Sequence, residues 1–506
     1  MSAVSTKANP SLRIIFTSVR ALELGVTALS AIALALAFPK TQLAWLAPAG
    51  AAGLFWAWQR LSWRRAFWLG WFGGFIFFAI SFSWFSYTVG GYVGHFAPFV
   101  VIVPALLEGL AFALAAAFAV LAYARSRASL APLAAAAAFT SFEWIRSIGI
   151  LGAPFAQLGY TQVNSPLGVF GAYIGCYGVT FVICTIGAYV AFALRVKRNR
   201  ELVITITAIV VVWAVCWLLW PARHAAAPAI RVAAIQGNIT QSLKHELPVS
   251  VAVNRYIWLT RTSAGFSPQL IVWPETVITT TLNYDPTLVQ KFAALAHSAN
   301  ATLIVGSNDF HGGHDYNSLY MFTPQGSLEG LYDKRQLVPF AEDFPGKSWL
   351  YWLPYVGKLN GDFGHGTVAG VYPGPLPFAP LICWESAFAD LAHAQLRQGA
   401  KLLIISTDDA WFGDSAGPLQ HAQIAQMRAI ESGTWVVRAA STGISGIIAP
   451  DGRYTERSEM DTQAVVLGRV GQPPGSLFAR IGPTPIAVAG IVLYMIVLGV
   501  SRRAEA

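Results

Sequence analysis

Residues 376–386 read LPFAPLICWES, an apolar run that stops abruptly at Cys383 with Trp384 and Glu385 directly behind it. A short apolar run of this kind reads as a buried strand. A Cys at the end of such a strand is held still and presented to whatever lies beyond. QLIVWPE, residues 269–275, ends in the same way at Glu275, and Lys334 lies in LYDKRQLVPFAED, residues 331–343. A lone Cys is more often a small buried hydrophobe. Here Cys, Glu and Lys each follow an apolar strand within one segment of mixed polarity.

That segment repeats the pattern. Strands are expected at Arg231–Ile235, Leu270–Trp273, Thr302–Gly306, Leu319–Phe322, Leu381–Cys383, Leu402–Ser406, Trp435–Ala439 and Gly446–Ala449. Helices are expected at Ser250–Ala264, Pro286–Ser298, Phe388–Gln398 and His421–Gly433, and hairpin turns at Thr323–Gly326 and Ala449–Gly452. Mixed strands and helices predict a layered α/β or α+β core. Neither GxGxxG nor a Walker motif occurs.

The rest of the chain is different. Of 506 residues, 55% are hydrophobic and 12% charged, whereas a soluble domain carries about 25% charged residues. A membrane-crossing helix needs about 20 apolar residues. Spans are expected near 21–38, 43–59, 66–88, 97–123, 130–147, 168–194, 202–220 and 483–500. The net charge of +9 is no nucleic-acid signal, because the basic residues punctuate apolar runs instead of forming an aromatic-laced patch. Arg13 and Arg20, Arg60 to Arg65, Arg125 and Arg127, Arg195 to Arg200, and Arg502 with Arg503 all fall on one side if there are eight spans. The excess of basic residues on cytoplasmic loops then puts both termini in the cytoplasm and residues 221–482 outside. The first span is expected to be an uncleaved anchor, although Ala35-Leu36-Ala37 also resembles a signal-peptidase site. The expected organisation is 1–220, seven spans; 221–480, an extracytoplasmic catalytic domain; and 481–506, a last span with a cytoplasmic tail.

Four cysteines occur. Cys176, Cys184 and Cys216 fall in expected spans, and Cys383 has no partner for a disulfide in the outer domain. A free thiol on the oxidising side of a membrane favours catalysis. A thiolate nucleophile needs a base or a nearby positive charge. Glu275 suits the first role and Lys334 the second, facing an oxyanion. The resulting thioester yields a hydrolase if water attacks and an N-acyltransferase if an amine does. Residue types alone do not choose.

WPE at 273–275, YDKRQLVPFAE at 332–342, ICWES at 382–386 and DAWFGDSAGPLQHAQIAQMRAIESG at 409–433 resemble the carbon–nitrogen hydrolase (nitrilase) superfamily. Joined to the apolar half, with FEWIRS at 142–147, GYTQ at 159–162 and QGNITQSLK at 236–244, they resemble the apolipoprotein N-acyltransferase family of bacterial envelopes. The resemblance implies a membrane α-helical bundle of about eight spans plus an αββα sandwich of nitrilase type. It implies Glu275 as general base, Lys334 as oxyanion stabiliser and Cys383 as nucleophile, with Glu342 and Glu385 in support. Trp384, Trp411 and His245 fall on the substrate side. The implied reaction carries a fatty acyl chain from a membrane phospholipid to Cys, then to the α-amine of a diacylglyceryl-cysteine on an apolipoprotein. It is a ping-pong transfer with no cofactor and no metal, in the bacterial inner membrane with the catalytic domain on the periplasmic face. The chain departs from the family pattern at His245, Gln336, Ala341 and Asp408, leaving the three central residues untouched. Alternatives in the same frame are a membrane-anchored amidase using water and a non-catalytic lipid- or lipoprotein-binding relative.

Phe344, Trp349, Leu350, Tyr351, Trp352, Leu353 and Tyr355 follow Glu342 closely. Such aromatics suit a membrane interface, so residues 343–366 are expected to form a substrate lid in the outer leaflet, with Trp349 and Trp352 as lipid contacts. Core packing is the plainer reading. His311 and His314, in HGGH, suggest a polar hairpin more than a metal site, since no acidic ligands accompany them in sequence. Glu108 lies inside an expected span, which is costly, and serves either function or bundle hydrogen bonding. Glu143 and Arg146 are spaced for an ion pair, and Arg438 is either a core-edge charge or a site contact.

Overall fold

The structure, a computed structural model, describes residues 21–503 except 128, 150–151, 197–198, 220–227, 345, 347–361. The apolar half forms helices α1 (Ala21–Leu36), α2 (Leu46–Trp58), α3 (Trp63–Ser81), α4 (Ile102–Arg125), α5 (Ala131–Ile145), α6 (Gly171–Val196) and α7 (Asn199–Leu219). Each stretch read as a span therefore holds a helix, and an eighth helix closes the chain. Two stretches, Gly94–Arg125 and Pro166–Val196, are long and apolar enough to cross a membrane, and Ala21–Leu36, Val203–Leu218 and Pro483–Gly499 are shorter apolar helices. Small residues let the helices approach closely: a Cβ on Gly70 of α3 would meet Phe112 O of α4 at 2.6 Å, and one on Gly74 would meet Gly109 Cα at 2.8 Å. Outward faces carry exposed Leu107, Val210, Trp217 and Met495.

Residues 230–470 build two sheets. One runs β12 (Ala464–Val470), β1 (Ile230–Gln236), β2 (Leu270–Val272), β4 (Thr302–His311), β5 (His314–Phe322), β6 (Leu328–Asp333), with β3 (Ile278–Thr281) on β4. The other runs β11 (Tyr454–Arg457), β10 (Gly446–Ile448), β9 (Trp435–Ala440), β8 (Leu402–Thr407), β7 (Phe378–Ile382). Side chains alternate between faces along a strand, and this sorts the layers. Val232, Ala234, Ile304, Ile404 and Val437 from both sheets share one inner core. Ala233, Ile235 and Leu303 face outward onto α8 (Val249–Thr262) and α9 (Pro286–Ala299). Leu381, Leu403 and Ile405 face α10 (Ala389–Arg397) and α11 (Gly417–Ser432). The layers are thus αββα. The final helix, α12 (Pro483–Arg503), packs on α5.

The eight expected strands and four expected helices are present with shifted ends, and the expected turns join β5 to β6 and β10 to β11. HGGH forms another hairpin, with Gly312 and Gly313 at φ +58° and +86°, the pairing that a two-residue turn of this hand requires. Strands β3, β6, β11 and β12 were not expected. Cys383 is not in its strand: β7 ends at Ile382, and Cys383, at φ +49°, opens a 3₁₀ turn through Ala387.

The halves meet beside that turn. Phe478 lies where a Cβ on Gly175 would sit, and α6 kinks there at φ +64°. The backbone N–H of Cys176 next to the kink donates to Glu431 of α11 at 2.7 Å.

Candidate active site

Three strand ends converge. Glu275 lies just past β2, Lys334 just past β6 and Cys383 just past β7. Lys334, 1% exposed, sets its Nζ 2.9 Å from Glu275 Oε1 and 2.9 Å from Glu342 Oε1. Asn317 Nδ2 donates to the same two oxygens at 2.7 and 2.9 Å. Glu275 Oε2 accepts the backbone N–H of Asp408 at 2.8 Å. Glu342 is pinned by the Val338 N–H at 2.9 Å.

Electrostatics separate the roles. Burial alone would lower Lys334, but the Glu275 and Glu342 carboxylates outweigh it and hold the ammonium well above the ordinary lysine range. Burial pushes the Cys383 thiol up, with the Glu275 charge adding to that and Lys334 opposing it. The resting sulfur is therefore a thiol that has to lose its proton to a neighbour, and Glu275 is the carboxylate acting most strongly on it.

Glu385 is fully buried and does different work. Its oxygens accept N–H groups of Arg335 at 2.6 Å, Gln336 at 3.2 Å and Ile382 at 2.7 Å, and the Tyr332 hydroxyl at 2.9 and 3.0 Å. It ties the segment after Lys334 to the turn that carries Cys383. Burial raises its carboxyl, with the Ile382 and Arg335 N–H groups opposing.

A buried chain that sequence reasoning missed supports Cys383 from the other side. His421 Nε2 lies 3.1 Å from the Cys383 carbonyl and 2.8 Å from Ser386 Oγ, and Nδ1 lies 2.9 Å from Asp409 Oδ1. Arg438 holds Asp409 Oδ2 at 2.8 Å and also reaches the Ile444 carbonyl. Burial would raise Asp409, but Arg438 and His421 hold it well below the ordinary carboxylate range. Arg438 is thus a site-supporting charge, not a core-edge one. Asp409 and His421 both stood in the DAWF…QHAQ stretch, but only the fold shows that one turn of chain brings them together.

Aromatic side chains wall the nucleophile turn. Phe155, from the loop after α5, stacks on Trp384 at 4.8 Å and 13°, and Trp84 meets Phe412 edge-on at 5.0 Å. Arg146 fixes that loop by donating to the carbonyls of Ala153 at 2.6 Å and Phe155 at 2.9 Å. Its ion pair is with Glu108 at 3.2 Å, while Glu143 accepts the Leu158 N–H at 2.8 Å. The expected Glu143–Arg146 pair is thus replaced: Arg146 reaches back to α4, and Glu143 caps the loop.

Trp384 is half-buried beside Cys383, and Trp411 is 39% exposed on the 3₁₀ turn Asp409–Phe412. Trp349 and Trp352, with most of the expected lid, lie outside the described residues, as does the side chain of His245. At the HGGH hairpin, the structure corrects the sequence reading, because Asp309 and Asp333 do accompany His311. Its Nδ1 lies 2.8 Å from Asp309 Oδ2 and its Nε2 3.6 Å from Asp333 Oδ2. The ring therefore faces both carboxylates, and the three groups each place one ligand atom within 4.8 Å of the others. His314 is not in the group.

The profile of the carbon–nitrogen hydrolase family matches residues 231–471, and that of the apolipoprotein N-acyltransferase N-terminal domain matches residues 30–189. The apolipoprotein N-acyltransferase of Pseudomonas paraeruginosa is 32% identical over 461 residues, 87% of this chain and 89% of that protein. That of Coxiella burnetii is 29% identical over 474 residues, 87% of this chain and 92% of the relative. Among solved structures, Saccharomyces cerevisiae Nit3, of branch 10 of the nitrilase superfamily, is 17% identical, covering 50% of this chain and 93% of its own at TM-score 0.40.

Proposed function

Since this chain belongs to the apolipoprotein N-acyltransferase family and is thus a bacterial membrane acyltransferase of lipoprotein N-acylation, we propose that Cys383 carries the acyl group, Glu275 moves the protons and Lys334 stabilises the oxyanion. The observation that carries this is the Lys334 ammonium, bridging Glu275 and Glu342 at 2.9 Å each beside a thiol on which both Glu275 and Lys334 act.

The first half-reaction takes a membrane phospholipid. Glu275 accepts the thiol proton as sulfur attacks an ester carbonyl. The negative charge on the tetrahedral oxygen faces Lys334, which keeps its own proton because two carboxylates hold it. Collapse breaks the ester C–O bond, and the lysophospholipid alkoxide takes the proton from Glu275. In the second half-reaction, Glu275 accepts a proton from the α-amine of a diacylglyceryl-cysteine as nitrogen attacks the thioester. The thiolate leaves and regains a proton, and the product is an amide.

The helices α1 to α7 and α12 are read as eight spans with both termini cytoplasmic and the αββα domain outside. The domains divide near residues 220 and 480. The aromatic wall of Phe155 and Trp384 would keep water from the thioester, and Trp384, Trp411, His245, Trp349 and Trp352 are read as lipid-side contacts. The test is a phospholipid with a labelled acyl chain. Label appears on Cys383, is released by hydroxylamine and is absent from Cys383→Ala; a folded wild type without label overturns the assignment.

A further inference from the structure

We propose that Lys244 is a positioning residue that clamps Glu275 from behind, holding its backbone and its carboxylate at once. The inference rests on the reading of Glu275 as the base. Lys244 lies on a short helix, Gln241–Glu246. Its Nζ is 2.6 Å from Asp408 Oδ2 and 2.7 Å from Thr276 Oγ1. Both contacts lead to Glu275. Thr276 is its neighbour in the chain, and the Asp408 N–H is the group that holds Glu275 Oε2 at 2.8 Å.

The backbone here needs a tie. Thr276 sits at φ +44°, a region that β-branched residues avoid and that persists only where surroundings enforce it. The chain is pressed there against β4, since a Cβ on Gly306 would meet Pro274 O at 2.1 Å and Glu275 Cα at 2.7 Å. The hydroxyl contact from Thr276 to Lys244 fixes this bend from the open side.

The charge needs a partner as well. The Asp408 side chain is 1% exposed. It also accepts from Gln241 Nε2 at 3.0 Å, from the Ala410 N–H at 3.3 Å and from Ser441 Oγ. Lys244 is its ion-pair partner. Without that ammonium, a second buried carboxylate would stand beside the base, and two such charges oppose each other's ionisation. Lys334 and Asn317 hold Glu275 by its other oxygen and are unaffected.

The test measures single-turnover labelling of Cys383 from the labelled phospholipid in wild type, Lys244→Met, Thr276→Val and the double variant K244M/D408N. Lys244→Met is expected to slow labelling at least about tenfold, because breaking one side of a buried ion pair strands the other charge. The double variant removes the stranded charge but not the lost tie to Thr276, so it is expected to recover only part of the loss and to stay at least about threefold below wild type. The phospholipid concentration giving half-maximal rate stays unchanged throughout. A fall in rate at unchanged half-maximal phospholipid concentration that is shared by Thr276→Val, which strands no charge, is what a purely structural loss of the ion pair does not produce. Lys244→Met labelled at the wild-type rate overturns the clamp, and so does a folded double variant that labels at the wild-type rate. If Lys244→Met does not fold, Thr276→Val decides: slower labelling supports the clamp and an unchanged rate overturns it. Wild type without label would overturn the base assignment and the clamp together.

Discussion

Replacing Glu275 by Gln should separate two properties of Cys383 that usually move together. The change keeps shape and removes a charge. Lys334 retains Glu342 at 2.9 Å, so the ammonium stays paired. If the remaining oxygen keeps Lys334 and Asn317, the new amide faces the Asp408 N–H, donor against donor, at a cost of about 1–3 kcal/mol. Chemistry suffers more. A positioned general base contributes about 10²–10⁴-fold, or about 3–5 kcal/mol of barrier, so phospholipid-dependent labelling should fall by that factor. Alkylation by iodoacetamide needs only the thiolate. The Glu275 charge helps push the thiol up while Lys334 opposes it. With the carboxylate gone, the thiol should ionise more readily, and alkylation at neutral pH should become faster. The assay is paired rate constants for acyl labelling and alkylation on one preparation, alongside thermal unfolding in detergent. Acyl labelling within about tenfold of wild type, or a fall in both rates in folded protein, would refute the division of roles.

Glu385→Gln sets an amide against main-chain N–H donors. Each charged hydrogen bond lost is worth about 1.5–3 kcal/mol, so the unfolding midpoint should drop measurably and labelling with it. Asp409→Asn breaks a buried pair at about 3–5 kcal/mol. Arg438 and His421 hold the Asp409 carboxyl below its ordinary value, so its stabilising contribution is complete above about pH 4 and drains away as pH falls below. The gap in unfolding midpoint between wild type and Asp409→Asn should therefore be flat through neutral pH and narrow only in strong acid. Replacing Trp349 and Trp352 by Ser should reduce turnover of phospholipid and spare a soluble ester, whereas equal loss of both would point to misfolding.

The sequence carried the two-part plan because both parts depend on local patterning. Apolar runs of span length and strands leading to Glu275 and Cys383 are visible without tertiary contacts, and so is the hairpin at Gly312-Gly313. The unexpected strands show where patterning fails. Leu328 and Glu329 of β6 are both exposed, so neither the alternation nor the apolar run of a buried strand appears. Tyr454–Arg457 is a mostly exposed edge, which reads as loop. Supporting contacts were hidden for another reason: Arg438 and His421 meet through Asp409, Arg146 pairs with Glu108 38 residues away, and Lys244 reaches Asp408 across 164. Asp408 drew notice as a departure from the family pattern. Only the fold shows the lysine that pairs with it.

The measurement closest to the central claim follows the fate of the acyl group once it is on Cys383. Wild-type protein is loaded from labelled phospholipid, freed of donor, and divided between buffer and a diacylated lipopeptide with a free α-amine. The account predicts that label stays on Cys383 in buffer and passes as an amide to the lipopeptide. Label lost to water at the same rate in both, with no labelled lipopeptide, would contradict it and make the enzyme a hydrolase.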